Sequence, residues 1–228
     1  TTVDKLSPVK IGVATDWVTM DGGLDHSVAI KTNGTLWAWG SATNGQLGDG
    51  TVTTRTAPIQ IGTANSWVSI ATGLDHSLAV RSKGTIWAWG RNNSSQLGDG
   101  ATTDRTAPAQ IGTSTLWLKA SGGNSHSVGL RCDGSLWSWG LNSNGQLGDS
   151  TTVTRTTPIK IVTKTPTNDT CWMDVDAGAD FCIAIRNTGS GWGWGANTYG
   201  QLGDNSTTGR IFPVNNASQV QAVTAGAG

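Results

Sequence analysis

The chain of 228 residues writes one stretch four times, and this repetition constrains its fold more than any other feature. In its second copy the stretch reads His76-Ser-Leu-Ala-Val-Arg-Ser-Lys-Gly-Thr-Ile-Trp-Ala-Trp-Gly90, followed by Arg91-Asn-Asn-Ser-Ser-Gln-Leu-Gly-Asp99. His26, His76 and His126 recur at a period of 50 residues, and Phe181 takes that slot in the fourth copy after a five-residue insertion. Trp39, Trp89, Trp139 and Trp194 keep the same spacing, as do Gln46, Gln96, Gln146 and Gln201, and Arg55, Arg105, Arg155 and Arg210. The 12 tryptophans fall three to a copy. A period of this length marks an array of like supersecondary units, each burying its apolar face on the next.

Each period reads as four short strands. The first runs near Trp67 to Thr72 and stops at Gly73. The second, His76 to Arg81, sets His76, Leu78 and Val80 on one face, because side chains alternate along a strand. Asn33-Gly34, Lys83-Gly84 and Asp133-Gly134 suit a two-residue hairpin turn with positive φ angles. The third strand, Thr85 to Gly90, puts Trp87 and Trp89 on the same face. A polar loop then carries Gln-Leu-Gly-Asp, and a fourth strand is expected after Pro108 (Ala109-Gln-Ile111). Abundant Gly, Thr, Ser, Asn and Trp, with Asp as the only acid, fits strands and tight turns.

Gly-x-x-His-Ser-x-Ala-[Ile/Val], then Gly-[Thr/Ser]-[Leu/Ile]-Trp-x-Trp-Gly, then Gln-Leu-Gly-Asp, together resemble the regulator of chromosome condensation repeat over the whole chain. The resemblance implies an all-β fold, a β-propeller of four-stranded antiparallel blades, usually seven. Four units are expected, near 13–62, 63–112, 113–162 and 163–217, with partial units 1–12 and 218–228. Thr1 to Gly12 matches the end of a unit and Val220 to Gly228 the start of one. An open arc of blades is therefore expected, completed by further blades or by other chains. Gly129 in place of Ala79, and Phe181-Cys182 in the fourth copy, depart from the pattern.

Zero net charge, with 15 basic and 15 acidic residues and no basic cluster, argues against nucleic acid as a partner. No apolar run reaches the roughly 20 residues that span a bilayer, so membrane insertion is not expected. Cys132, Cys171 and Cys182 have no metal-ligand spacing. Cys171 and Cys182 flank a short β connection and could pair, but the odd count favours incidental small residues. Asn33-Gly-Thr, Asn93-Ser-Ser and Asn205-Ser-Thr fit a glycosylation sequon in a composition that produces such matches by chance.

Asp25-His26-Ser27 and Asp75-His76-Ser77 hold the residue types of a hydrolase triad, but a strand points a His and its immediate neighbours to opposite faces. A slot that accepts Phe181 is a packing slot, so His26, His76, His126, Trp39, Trp89, Trp139 and Trp194 are expected to be structural. Asp49, Asp99, Asp149 and Asp204 stand on different blades, without the oxygen count of a calcium site. They are expected to bond backbone N–H groups in their own turns. The recurring arginines are expected to meet a neighbouring loop's carboxylate or carbonyls. No catalytic residue, metal or cofactor site is expected, and the glycine-rich stretches open no helix that could cradle a phosphate.

What varies between copies is free to recognise something. Those positions include Ser41, Thr43, Asn44, Arg91, Asn92, Asn93, Leu141, Asn142, Asn197, Tyr199 and Asp180, together with the insertion Lys164 to Thr170. Rigid rings commonly bind through such loops. The leading expectation is a non-enzymatic interaction module for a protein or glycan, displayed extracellularly, on a cell surface or on a virion. The family implies two alternatives: a guanine-nucleotide exchange factor for a small GTPase, and a secreted inhibitor of the β-lactamase-inhibitory type.

Overall fold

The computed structural model describes residues 3, 5–162, 171–217 and 221–226. Its sixteen strands form four antiparallel sheets, each built from four strands consecutive in sequence. The first sheet holds β1 (Trp17–Gly22), β2 (His26–Lys31), β3 (Leu36–Gly40) and β4 (Arg55–Gln60). The second holds β5 (Trp67–Thr72), β6 (His76–Arg81), β7 (Ile86–Gly90) and β8 (Arg105–Gln110). The third holds β9 (Trp117–Gly122), β10 (His126–Arg131), β11 (Leu136–Gly140) and β12 (Arg155–Lys160). The fourth holds β13 (Trp172–Ala177), β14 (Phe181–Arg186), β15 (Gly191–Gly195) and β16 (Arg210–Ala217).

Every sheet packs an aliphatic face on an aromatic one. Val28, Ile30 and Leu36 of the first meet Trp67, Ala79 and Trp89 of the second. The second presents Leu78, Val80 and Ile86 to Trp117 and Trp139, and the third presents Val128, Leu130 and Leu136 to Trp172 and Trp194. Trp89, Trp139 and Trp194 are fully buried, whereas Trp39 on the unpacked face of the first sheet is half-buried. Where the other blades bury Ala29, Ala79 and Ala184, Gly129 lets the Trp117 ring come closer, to 2.6 Å from where a Cβ would stand. Sheets packed in this order make four propeller blades in an arc. Among the described residues no packed interface joins the fourth blade back to the first.

Three local expectations are corrected. The fourth strand does not follow Pro108 but contains it: β8 runs Arg105–Gln110, and Pro58, Pro158 and Pro213 sit likewise inside β4, β12 and β16. These are the outermost strands, and each leaves the ladder near its proline (Ala88 pairs with Ala109, but Gly90 with Arg105). An edge strand with a bulge has no need of the missing N–H. The hairpin loop spans three residues, since Arg81 N donates to Thr85 O (3.0 Å) and Gly84 N to Arg81 O (2.8 Å). Only its glycine takes a positive φ, 73° at Gly84, which makes a turn closed by a glycine bulge. Pro8 to Ile11, which matches the fourth-strand stretch of a unit, forms no strand, and Val9 and Ile11 stand exposed.

Ala225 N donates to Asp176 Oδ2 at 2.7 Å, as Thr72 N does to Asp21 Oδ2 at 2.7 Å. The end segment thus occupies the place of a first strand against the fourth blade. Cys132, Cys171 and Cys182 are free thiols. The insertion Lys164 to Thr170 and residues 218–220 lie outside the described residues.

Candidate functional site

Strand direction gives the arc two rims. On one, the link between first and second strands lies beside the loop carrying Gln-Leu-Gly-Asp, joined by Ser41 N to Asp25 O (2.7 Å), Arg91 N to Asp75 O (2.9 Å), Leu141 N to Ser125 O (2.9 Å) and Ala196 N to Asp180 O (2.8 Å). We call this the loop face. The opposite turn face carries the three-residue hairpins and the links between successive blades.

Under the loop face each blade holds the next through one backbone carbonyl. Gln46 O accepts from Trp89 Nε1 (2.9 Å) and Ser77 Oγ (2.9 Å). Gln96 O accepts from Trp139 Nε1 (2.9 Å) and Ser127 Oγ (2.8 Å). Gln146 O accepts from Trp194 Nε1 (3.0 Å) and Cys182 Sγ (3.5 Å). Gly98 brings the loop this close: its φ is +76°, and a Cβ there would lie 2.6 Å from Trp139.

The histidines complete the relay. His26 Nε2 lies 2.9 Å from Ser77 Oγ, His76 Nε2 2.8 Å from Ser127 Oγ, and His126 Nε2 3.2 Å from Cys182 Sγ. Each serine proton is committed to a glutamine carbonyl, so Nε2 must carry the histidine's proton. Nδ1 has no partner among the described residues. The rings are neutral: burial drives His26 down to about 4, His126 to about 4 and His76 to about 3, the last lowered further because a proton on it would compete with one on His26 or His126. A serine and a histidine do meet, then, but across two blades, which spacing within one repeat could not reveal. With no solvent access at Ser77 or His76 and no carboxylate on Nδ1, the pair has no nucleophilic use.

The loop residues divide sharply. Asn92, Asn142 and Asn197 are buried, which corrects their reading as ligand-facing. Asn92 Nδ2 donates to Asp99 Oδ1 (3.0 Å), Ala101 O (3.1 Å) and Thr103 O (3.1 Å), while its Oδ1 accepts from Leu97 N (3.0 Å). Asn142 and Asn197 make the same set, and Ala42 fills the position in the first blade, which is why the position resembled a variable one. Thr43, Asn93 and Tyr199 are exposed, the last at 90%, while Ser41, Asn44, Arg91, Leu141 and Asp180 are half-buried. Arg91 Nη1 reaches Asp75 Oδ2 at 3.2 Å. Burial pushes the Asp180 carboxyl up, and Gln146 Nε2 donates to it at 3.4 Å.

Asp49, Asp99, Asp149 and Asp204 each bind the backbone N–H two residues on and an arginine of their own repeat. Arg55 reaches Asp49 through Nε (2.8 Å) and Nη2 (2.6 Å). Burial pushes the Asp49 carboxyl up, but its bonds to Thr51 and Arg55 outweigh that and hold it below the usual range.

Where the inner strands meet the loop face, a cavity of about 400 Å³ opens between Leu24, Leu74, Asn124 and Ala179. Its acids are engaged, Asp21 with Thr72 and Asp176 with Ser121 Oγ (2.5 Å) and Ala225. Among the described residues no three His, Cys, Asp or Glu side chains gather as metal ligands.

The family model for the RCC1-like domain matches residues 1–228. The chain belongs to the RCC1-like domain family. The human WBSCR16 structure superposes on this RCC1-like chain with a TM-score of 0.83 at 23% identity, covering 92% of it and 56% of WBSCR16. Prp20p from Saccharomyces cerevisiae, described with its binding to Gsp1p and histones, gives 0.83 at 22% identity, covering 97% of this chain and 57% of Prp20p. Yeast RCC1 (Prp20) bound to Kap60 gives 0.71 at 18%, over 92% and 66%. The RCC1-like chain thus spans between about half and two thirds of these structures, and the likeness is one of fold. No curated protein sequence matches it.

Proposed function

We propose that this RCC1-like chain is a non-enzymatic interaction module that holds a protein or glycan partner on its loop face, displayed at a cell surface or on a virion. One observation carries the reading: on the loop face the side chains that recur between blades are bonded to one another, while those that vary there stand exposed or half-buried. Thr43, Arg91, Asn93, Leu141 and Tyr199 stand on that face. Among the described residues the buried histidines are neutral, and the recurring Asp49, Asp99, Asp149 and Asp204 are engaged by arginines, which suits a scaffold. A rigid β arc rich in Thr, Asn and Gly and free of Glu suits an exposed setting. Among the described residues no helix is long and apolar enough to cross a membrane. Prp20p binds Gsp1p and histones on the same fold, which is a parallel for a protein partner. No residue of this chain favours the exchange-factor or inhibitor reading.

The test is binding of fluorescently labelled chain to a glycan array and to intact cells, with Arg91→Ala/Tyr199→Ala as control. The reading expects binding that falls about tenfold in the variant while its melting temperature holds. Absence of binding to both arrays and cells, or binding that the variant retains in full, overturns it.

A further inference from the structure

The formal net charge of zero conceals a polarity. Among the described residues the turn face carries Lys31, Arg81, Lys83, Arg131, Lys160 and Arg186 against Asp16 and Asp133. Opposite them, Asp25, Asp75 and Asp180 stand on the loop face with Arg91, while the Asp–Arg pairs of the Gln-Leu-Gly-Asp loops balance one another.

One cation per blade sits in the same setting, at the end of the second strand, between two tryptophan rings. Arg81 Cζ lies 4.3 Å from the Trp67 ring centroid and 4.0 Å from that of Trp87. Arg131 lies 4.4 and 3.7 Å from Trp117 and Trp137, and Lys31 4.9 and 4.4 Å from Trp17 and Trp37. The first blade completes the setting with an anion, since Lys31 Nζ pairs with Asp16 at 3.1 Å. In the next two blades the residue aligned with Asp16 is Ser66 or Leu116. Neither Arg81 nor Arg131 has a hydrogen bond or ion pair among the described residues, and the Nε of each is closed off from solvent. Burial holds both guanidinium groups below their usual pKa, with Asp133 opposing that at Arg131. Arg81 lines a groove of about 420 Å³ between the first and second blades, beside Gln60, Thr63 and Trp67. The groove's carboxylate, Asp49, is turned to Arg55.

We propose that the turn face binds an acidic polysaccharide, seating one carboxylate on Arg81 and another on Arg131. A half-buried guanidinium fork with no hydrogen-bond partner among the described residues is matched by a planar carboxylate, which can take two of its N–H groups. The polymer follows from the periodicity. Packed sheets stand about 10 Å apart, so the cations recur at that interval, which fits one carboxylate for every two sugar rings. Along duplex DNA, where phosphates follow every ~3.4 Å on each strand, cations at this interval would leave about two phosphates of every three unpaired.

A hyaluronan decasaccharide is the probe, titrated against the chain by calorimetry, with glucuronate and a single-stranded DNA decamer alongside. Binding to the decasaccharide should weaken with added salt, and glucuronate should bind at least about tenfold more weakly because it meets one site at a time. Arg81→Gln/Arg131→Gln should cost about tenfold or more in affinity. Ser66→Asp/Leu116→Asp should do the same while keeping both guanidinium groups on their tryptophans, because it supplies the carboxylate that Asp16 gives Lys31. That second pair separates ligand loss from misfolding, with melting temperature as the control. No binding of the decasaccharide, equal binding of the DNA, equal binding of glucuronate, or full binding by the aspartate pair overturns the proposal.

Discussion

Ser95 stands at φ 61° where the other repeats place Gly45, Gly145 and Gly200. A Cβ in that region costs roughly 1–2 kcal/mol. Ser95→Gly should therefore raise stability by about 1 kcal/mol in denaturant melts, and an unchanged midpoint would mean the loop has relaxed around the serine. The histidines make a sharper residue-scale test. Their folded values, about 4, 3 and 4, lie below an ordinary value of 6.5, so the unfolded chain binds more protons between those limits. Stability is then fully present above pH 6.5 and lost as pH falls toward 4. Each buried ring should cost about 2 kcal/mol between pH 7 and 5. His76→Phe should fold, give up about 1 kcal/mol at pH 7 for the lost bond to Ser127, and show a shallower decline in acid. An identical pH profile in the variant would show that His76 is not held neutral.

At the scale of the strand and its neighbours, Trp89 and Trp39 are the same residue in the same register with different partners. Trp89 is fully buried against the first blade and donates to Gln46 O, while Trp39 is half-buried. Trp89→Ala should cost about 3–5 kcal/mol, and Trp39→Ala no more than about 2. Equal losses would show that packing between blades is not what holds these rings. The strands themselves were legible in the sequence because period-two alternation and Trp-x-Trp spacing are local. Proline normally ends a ladder, so the sequence points to a fourth strand after Pro108, and only the edge position admits the proline within it. In the sequence Asn92, Asn142 and Asn197 read as recognition residues because Ala42 breaks their recurrence. The loop at Ala42 closes without the amide, so repetition alone could not show what the amide does.

Across the whole molecule, the period announced the arc of blades, but the contacts that join the blades were not readable. His26 meets Ser77, and Gln46 meets Trp89, across 51 and 43 residues, and no spacing within one repeat reports either. Charge polarity was hidden for a similar reason, since a sum of zero cannot say which rim each charge occupies. The central claim is that each blade closes its neighbour through a glutamine carbonyl. Indole N–H exchange, followed by NMR on the 228-residue chain, reads this at four equivalent sites. The account predicts that Trp89, Trp139 and Trp194 exchange only with global unfolding, and that Trp39 exchanges orders of magnitude faster. Four alike rates, or a fast rate at Trp139, would contradict it.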